Sequence, residues 1–386
     1  MKKILVLLSV IAISMLGLTA CASTPAAEET IKIGVNVELT GEAAVYGTPE
    51  KTAAEMAVQE INAAGGVLGK QIELVIYDTK TDTAESTSNA TKLMTEDGVV
   101  AVLGAAISGT TMAAAPVANQ YEVPMITPSG SNARVTNDGT TVYPYVYRAC
   151  FIDPFQGVVL ANFASNNLGT TKAVVLGSSS SDYAKDLAAI FSEQFAANGG
   201  TVVATEYYTD ADTDFSAVLT KVQAAGEFDV VFVADYAVRA GLIIGQARAA
   251  GVTAPFLGPD GFESPDLNDL AGGAANVSDV YFSTHFSSLS EDQKVQDFIT
   301  NYTTFAGEAP SALSALAYDA VYMLKAAIEA AGEADPVKVN AALEALTAFP
   351  GITGTISFDE WHNPVKSAIV VQLTNGEQVA ATVVNP

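Results

Sequence analysis

Residues 31–66 read IKIGVNVELTGEAAVYGTPEKTAAEMAVQEINAAGG. The first seven, Ile31 to Val37, form a short run rich in β-branched residues, as a strand covered on both faces requires. Residues 53–64 then repeat apolar positions at helical spacing and stop at Gly65-Gly66, a pair suited to ending a helix. The cycle continues, with strands predicted at 71–77, 99–103 and 123–126 and helices at 83–96 and 110–120. Short connections between apolar strands predict a parallel, doubly wound α/β sheet.

A second set of the same kind follows Cys150. Its strands are expected at 172–176, 201–208, 230–234 and 256–258, and its helices at 183–197, 215–225 and 240–250. About 355 residues lie beyond residue 30, more than one core usually serves, so two α/β domains are expected. Polar residues just past the strand ends of both sets mark where open α/β sheets bind ligands, and a cleft between the domains is the expected site.

The chain begins Met1-Lys2-Lys3, continues apolar from Ile4 to Leu16, and reaches Leu18-Thr19-Ala20-Cys21. A charged start, a short hydrophobic run and small residues before a cysteine make a lipoprotein export signal over residues 1–20, with Cys21 the lipidated first residue of the mature chain. Residues 21–30 are small, polar and acidic, the composition of a flexible tether. The whole chain has 18 basic and 43 acidic residues; residues 1–20 hold two of the lysines and no acid, which leaves 16 against 43, a formal charge of −27. Such a chain repels phosphate, which excludes nucleic acid as a partner.

With Cys21 lipidated, Cys150 has no intrachain partner and reads as a buried thiol, and His285 and His362 lie too far apart to suggest a metal site. No G-x-x-x-x-G-K-[ST], G-x-G-x-x-G, G-x-S-x-G or H-E-x-x-H pattern occurs, so no catalytic role and no cofactor is predicted.

Several ordered motifs carry a resemblance: Ile33-Gly34, Leu39-Thr40-Gly41, Tyr46-Gly47, Glu60 to Gly66, Pro124-Met125-Ile126-Thr127-Pro128, Gln246 to Gly251 and Gly258-Pro259-Asp260-Gly261. From about Ile31 to about Val371 the chain resembles the leucine/isoleucine/valine-binding proteins of ABC importers. The resemblance implies the type I binding-protein fold, two lobes joined by three crossovers, with residues 31–149 plus 286–355 in one lobe and 150–285 plus 356–386 in the other. It further implies a monomer that closes about its hinge on a small, branched-chain amino acid and is recognised by permease subunits while anchored to the membrane. Another solute on the same frame, or a sensing module, are the alternatives.

Matched position by position, the family's carboxylate site falls on Ser108, which as a residue after a strand end also reads as a helix N-cap. Ser131 corresponds to the hydroxyl that touches both ends of the ligand, and Ser129 to a backbone carbonyl for the ammonium. Asp260 stands where the family's acid faces the ammonium, although glutamate is commoner there; a plain Pro-Asp-Gly turn is the other reading. Tyr46, Tyr183 and Tyr236, each expected between a strand and a helix, match the walls of the side-chain pocket. Ala106, Ile107 and Leu313 match its apolar floor, with Leu313 in place of a larger aromatic and hence a roomier pocket.

Overall fold

The structure is a computed structural model that describes residues 29–384, so the export signal, Cys21 and residues 22–28 of the expected tether lie outside the described residues. The first lobe opens with β1 (Ile31–Val37), α1 (Ala44–Ala63), β2 (Ile72–Asp78), α2 (Thr83–Lys92), β3 (Ala101–Gly104), α3 (Ser108–Tyr121), β4 (Met125–Thr127) and β5 (Val146–Arg148). These strands pair in parallel in the order β2-β1-β3-β4-β5.

The second lobe holds α4 (Asp153–Asn166), β6 (Lys172–Ser178), α5 (Asp182–Ala197), β7 (Thr201–Tyr208), α6 (Ser216–Ala224), β8 (Val230–Ala234), α7 (Ala237–Ala249), β9 (Phe256–Gly258), α8 (Leu267–Leu270) and β10 (Val280–Thr284). The chain then forms α9 (Gln293–Ala306), α10 (Ala312–Ala331), α11 (Pro336–Glu344), β11 (Phe349–Gly351), β12 (Gly354–Ile356), β13 (Ala368–Thr374) and β14 (Glu377–Val384). Leu316, Val321, Leu324 and Ile328 of α10 pack with Ile31, Ile33 and Val35 of β1, so α10 belongs to the first core. Val371 and Leu373 of β13 join Val231 and Val280 in the second. The main chain thus passes between the lobes three times, at 149–152, 285–292 and 357–367.

The second sheet runs β14-β13-β10-β9-β8-β6-β7 and is parallel except for β13 and β14, an antiparallel hairpin at one edge. That hairpin departs from the expected repetition of one plan, and it arises because the last crossover re-enters beside β10 from the opposite direction. The strands at 201–208, 230–234 and 256–258 lie where predicted, since each is a β-branched or aromatic run bounded by turn residues. α1 starts at Ala44 rather than at residue 53 and carries Pro49 inside its second turn. α4 shows no clear apolar stripe because its buried face carries Asp153 and Gln156 beside Val159, Leu160 and Phe163, so no amphipathic period betrays it.

Two glycines shape the first lobe's cleft edge. Gly104, at the end of β3, has φ +127°, and a Cβ there would lie 2.1 Å from the Asn36 carbonyl oxygen. A Cβ at Gly47 would lie 2.1 Å from the Glu38 oxygen, so only glycine lets α1 approach the end of β1 this closely. Cys150 is a buried free thiol, pushed up to about 12 by desolvation and therefore unreactive at neutral pH.

Candidate functional site

The floor of the cleft is the segment from Ala105 to Thr110, between β3 and α3. Glu38, fully buried after β1, holds it by accepting the Ala106 N–H at 2.9 Å and the Thr110 hydroxyl. Thr127 donates to the Ala105 carbonyl at 2.6 Å and accepts from the Gly130 N–H at 2.9 Å, which ties this loop to the one after β4. The Ser129 hydroxyl lies within hydrogen-bond reach of the Ala106 carbonyl at 2.7 Å. The same hydroxyl also contacts the Glu50 carboxylate, so the Ala106 carbonyl and Glu50 share this donor. Burial pushes the Glu50 carboxyl well up, and the neighbouring Glu38 pushes it further.

Ser108 is the first residue of α3, with Ile107 at the cap position, so it is not the N-cap that its place after a strand suggests. Its hydroxyl oxygen accepts the Asn132 N–H at 3.1 Å, and its own hydrogen has no recorded acceptor among the described residues. The first N–H groups of α3 and this hydroxyl are donors of the kind that can receive an anion, with the helix dipole behind them.

On the other lobe, Asp260 follows β9 through Pro259. One carboxylate oxygen accepts the Tyr183 hydroxyl at 2.7 Å and the Gln156 amide at 3.2 Å; the other meets His285 Nε2 at 3.3 Å. Desolvation pushes His285 down to about 4, so at neutral pH it is an uncharged donor. All three groups around Asp260 are therefore neutral, and no lysine or arginine pairs with it among the described residues. A carboxylate only 12% exposed and held by neutral donors is a site for a cation supplied from outside.

Between floor and acid stand three tyrosines. Tyr46 and Tyr183 lie in the first turns of α1 and α5 rather than in loops, while Tyr236 caps α7. Tyr236 stacks on Tyr183 at 4.7 Å and meets Tyr46 at 5.3 Å. Tyr46, Ala106 and Leu313 form an apolar cluster with Ile107 and Tyr236 packed against it.

The structure brings Tyr46, Ala106, Ile107, Ser129, Ser131, Tyr183, Tyr236, Asp260 and Leu313 around one cavity, with Gly261; Ser108 sits behind it, buried. The cavity measures about 20 Å³, room for one water, so an amino acid enters only as the lobes part. It adjoins a polar mouth of about 260 Å³ that includes Glu42, Asp210 and Arg239. A larger cavity, about 680 Å³ and mostly apolar, is lined by none of these residues. Gly261, Gln156, His285, Glu38 and Glu50 were not predicted. A polar residue set among apolar neighbours, such as Gln156 after Phe155, was the available signal.

The lobes touch through specific contacts. The Tyr46 hydroxyl donates to the Gly261 carbonyl at 2.7 Å and accepts the Ala237 N–H at 2.9 Å. Asn132 donates to Asp186 at 2.9 Å, Arg134 pairs with Asp182 at 3.0 Å, and the Ala312 N–H donates to Glu263 at 2.6 Å. At the mouth, Arg239 reaches across to Glu42. Because Glu42 is 40% exposed, Glu42→Gln is expected to weaken ligand binding by roughly two- to five-fold, within the range of exposed ion pairs, and to leave the melting temperature unchanged. Titration calorimetry and a thermal melt on the same sample check both halves.

Two α/β lobes, three crossovers and a polar cleft between strand ends define, by class, a protein that closes on a small solute. The chain belongs to the periplasmic binding protein family, whose pattern it matches over residues 30–378, and its curated relatives place it with the branched-chain amino acid binding proteins. It is 34% identical over 340 residues to the leucine-, isoleucine-, valine-, threonine- and alanine-binding protein of Pseudomonas aeruginosa, covering 88% of each chain. The crystal structure of the branched-chain amino acid transporter substrate-binding protein LivJ of Streptococcus pneumoniae, in complex with isoleucine, is similar at 40% identity and a TM-score of 0.87, over 93% of this chain and 100% of that one. The leucine-binding protein LivK of Thermotoga maritima is similar at 33% identity and a TM-score of 0.86, over 92% and 99%.

Proposed function

We propose that this protein captures a small aliphatic amino acid, with a branched-chain one the best fit, and delivers it to an ABC importer. The observation that carries the proposal is the pairing of opposite ends across one cleft. Asp260 is a carboxylate surrounded by neutral donors, and the start of α3 with Ser108 is an anion site. A zwitterion satisfies both, and the cluster of Tyr46, Ala106, Ile107, Leu313 and Tyr236 takes an apolar side chain.

In this mechanism the ligand carboxylate docks first on the Ser108 and Ser131 side. Residues 150–285 plus 356–386 then swing onto 31–149 plus 286–355, and Tyr183, Tyr236 and Asp260 complete the enclosure. Closure brings Tyr46 to Gly261 and Arg239 to Glu42, and the closed surface is what the permease recognises. No bond in the ligand is made or broken. Export and lipidation at Cys21 keep the protein at the outer face of the membrane as a monomer.

The test is calorimetric titration of the chain from Ser23 onward, unfolded and refolded to strip carried ligand, with leucine, isoleucine, valine, alanine and polar amino acids. Binding at micromolar or lower concentration, strongest for aliphatic side chains, is the expected result. Absence of heat with every α-amino acid overturns the proposal.

A further inference from the structure

Behind Asp260 lies a second acid. Asp153 opens α4 with its carboxylate fully buried; Oδ1 accepts the Gln156 amide at 2.7 Å, and Oδ2 has no donor in hydrogen-bond geometry. The same Gln156 nitrogen gives its other hydrogen to Asp260 at 3.2 Å, so one amide bridges two carboxylates. The amide cannot flip: its oxygen is occupied by the Asp260 N–H at 3.2 Å and the Ser283 hydroxyl at 2.8 Å. Asp153, Gln156, Tyr183, Asp260 and His285 all belong to the second lobe and stay together when the cleft opens. Asp153 also donates its N–H to the Ser131 carbonyl at 2.9 Å, next to the hydroxyl assigned to the ligand.

Of the groups facing the pair, the Gln156 amide, the Ser131 hydroxyl and the Arg148 charge favour an ionised Asp153, and burial together with the Asp260 charge outweighs them. Tyr183 and Tyr236 are held neutral by burial, and His285 is neutral below as well as above pH 7 down to about 4. Arg148, at the end of β5, donates from Nη1 and Nη2 to the Gly130, Asn132 and Ala133 carbonyls and to Thr136 and forms no ion pair among the described residues, so it acts on Asp153 only through its charge. Lys366 is turned to the Ala149 carbonyl and Thr353, Asp186 is taken by Asn132, and Cys150 stays a thiol. A fully buried carboxylate bridged to a second one, with one oxygen that no donor reaches, ionises only at a cost, so Asp153 keeps a proton until a further cation arrives.

We propose that Asp153 is a second carboxylate serving the ammonium site from behind Asp260, and that it holds one proton without ligand and releases it to solvent when the ligand's ammonium enters. The ammonium keeps its three hydrogens, so the exchange is one cation for one proton. This inference rests on the amino-acid function proposed above. Burial and the Asp260 charge push the Asp153 carboxyl up to about 8, which places the exchange at physiological pH. The complex binds fewer protons than the free protein, so affinity rises with pH below about 8 and levels off above it, by about tenfold between pH 6 and pH 7.

The experiment is leucine titration of the wild-type chain at pH 7 in phosphate and in Tris, whose ionisation heats differ, with Asp153→Asn and Asp153→Glu alongside. Close to one proton released per leucine is expected for wild type and Asp153→Glu, and close to none for Asp153→Asn, whose affinity also loses its rise between pH 6 and pH 7. Leucine binding with no proton release in wild type overturns the exchange alone. Release unchanged in Asp153→Asn moves the proton off this residue and also overturns it. If no amino acid binds wild type, the proposed function falls and the exchange with it. The wild-type proton count decides the matter even if a variant fails to fold.

Discussion

Asp260→Ala is expected to weaken leucine binding by about 30-fold to a few thousand-fold, equivalent to roughly 2 to 5 kcal/mol. The loss has two parts. The ligand's ammonium would lose the one acid that lines the cavity, with Asp153 left only behind the cavity wall. The Tyr183 hydroxyl, the Gln156 amide and His285 would at the same time lose their shared acceptor inside a closed site. Asp260→Asn keeps the shape and an acceptor oxygen but removes the charge, so it isolates the first part and is expected to recover only a fraction of the affinity. Calorimetry measures the losses, and a melting temperature within a few degrees of wild type shows that the cleft and not the fold has changed. A loss under threefold for Asp260→Ala would mean that Asp260 faces no cation.

The parts of the fold that could be read from the chain were those whose burial is one-dimensional. Residues 230–234 are buried on every side chain and β-branched or aromatic at four of five positions, so only a central strand fits them. α10 escaped because its buried residues run almost continuously from Ala312 to Leu324, and α4 because its buried face mixes Asp153 and Gln156 with apolar residues, which blurs the stripe that marks a helix. The layer touching the cavity was legible for a different reason: Ser131, Tyr183 and Asp260 sit inside short turn motifs that could be matched by position. Asp153, Gln156 and His285 come from α4 and the end of β10, far apart along the chain, and act only through Asp260. No local pattern encodes a bridge of that kind, whose meaning depends on which strands become neighbours.

Arg239→Met is expected to cost about 3 to 5 kcal/mol of stability in the second lobe, read as a lower urea midpoint at pH 7. Arg239 is buried in α7 and grips Asp235 with two parallel hydrogen bonds of 2.8 and 2.9 Å, while Asp235 itself is wholly buried at the end of β8. Methionine fills much of the space of the arginine stem, so the cost is the Asp235 charge left without a partner. Desolvation already raises the Asp235 carboxyl and Arg239 opposes that rise; without Arg239 it climbs further. A raised folded-state value contributes stability that is present at low pH and is lost as pH rises through it, so the deficit should shrink as Asp235 becomes protonated. Adding Asp235→Asn to Arg239→Met removes the stranded charge and is expected to restore most of the midpoint at pH 7. The double variant should still bind leucine more weakly than wild type, because Glu42 has lost its partner across the cleft. Separate recovery of stability and of affinity would assign Asp235 to holding the second lobe together and Glu42 to holding the cleft shut.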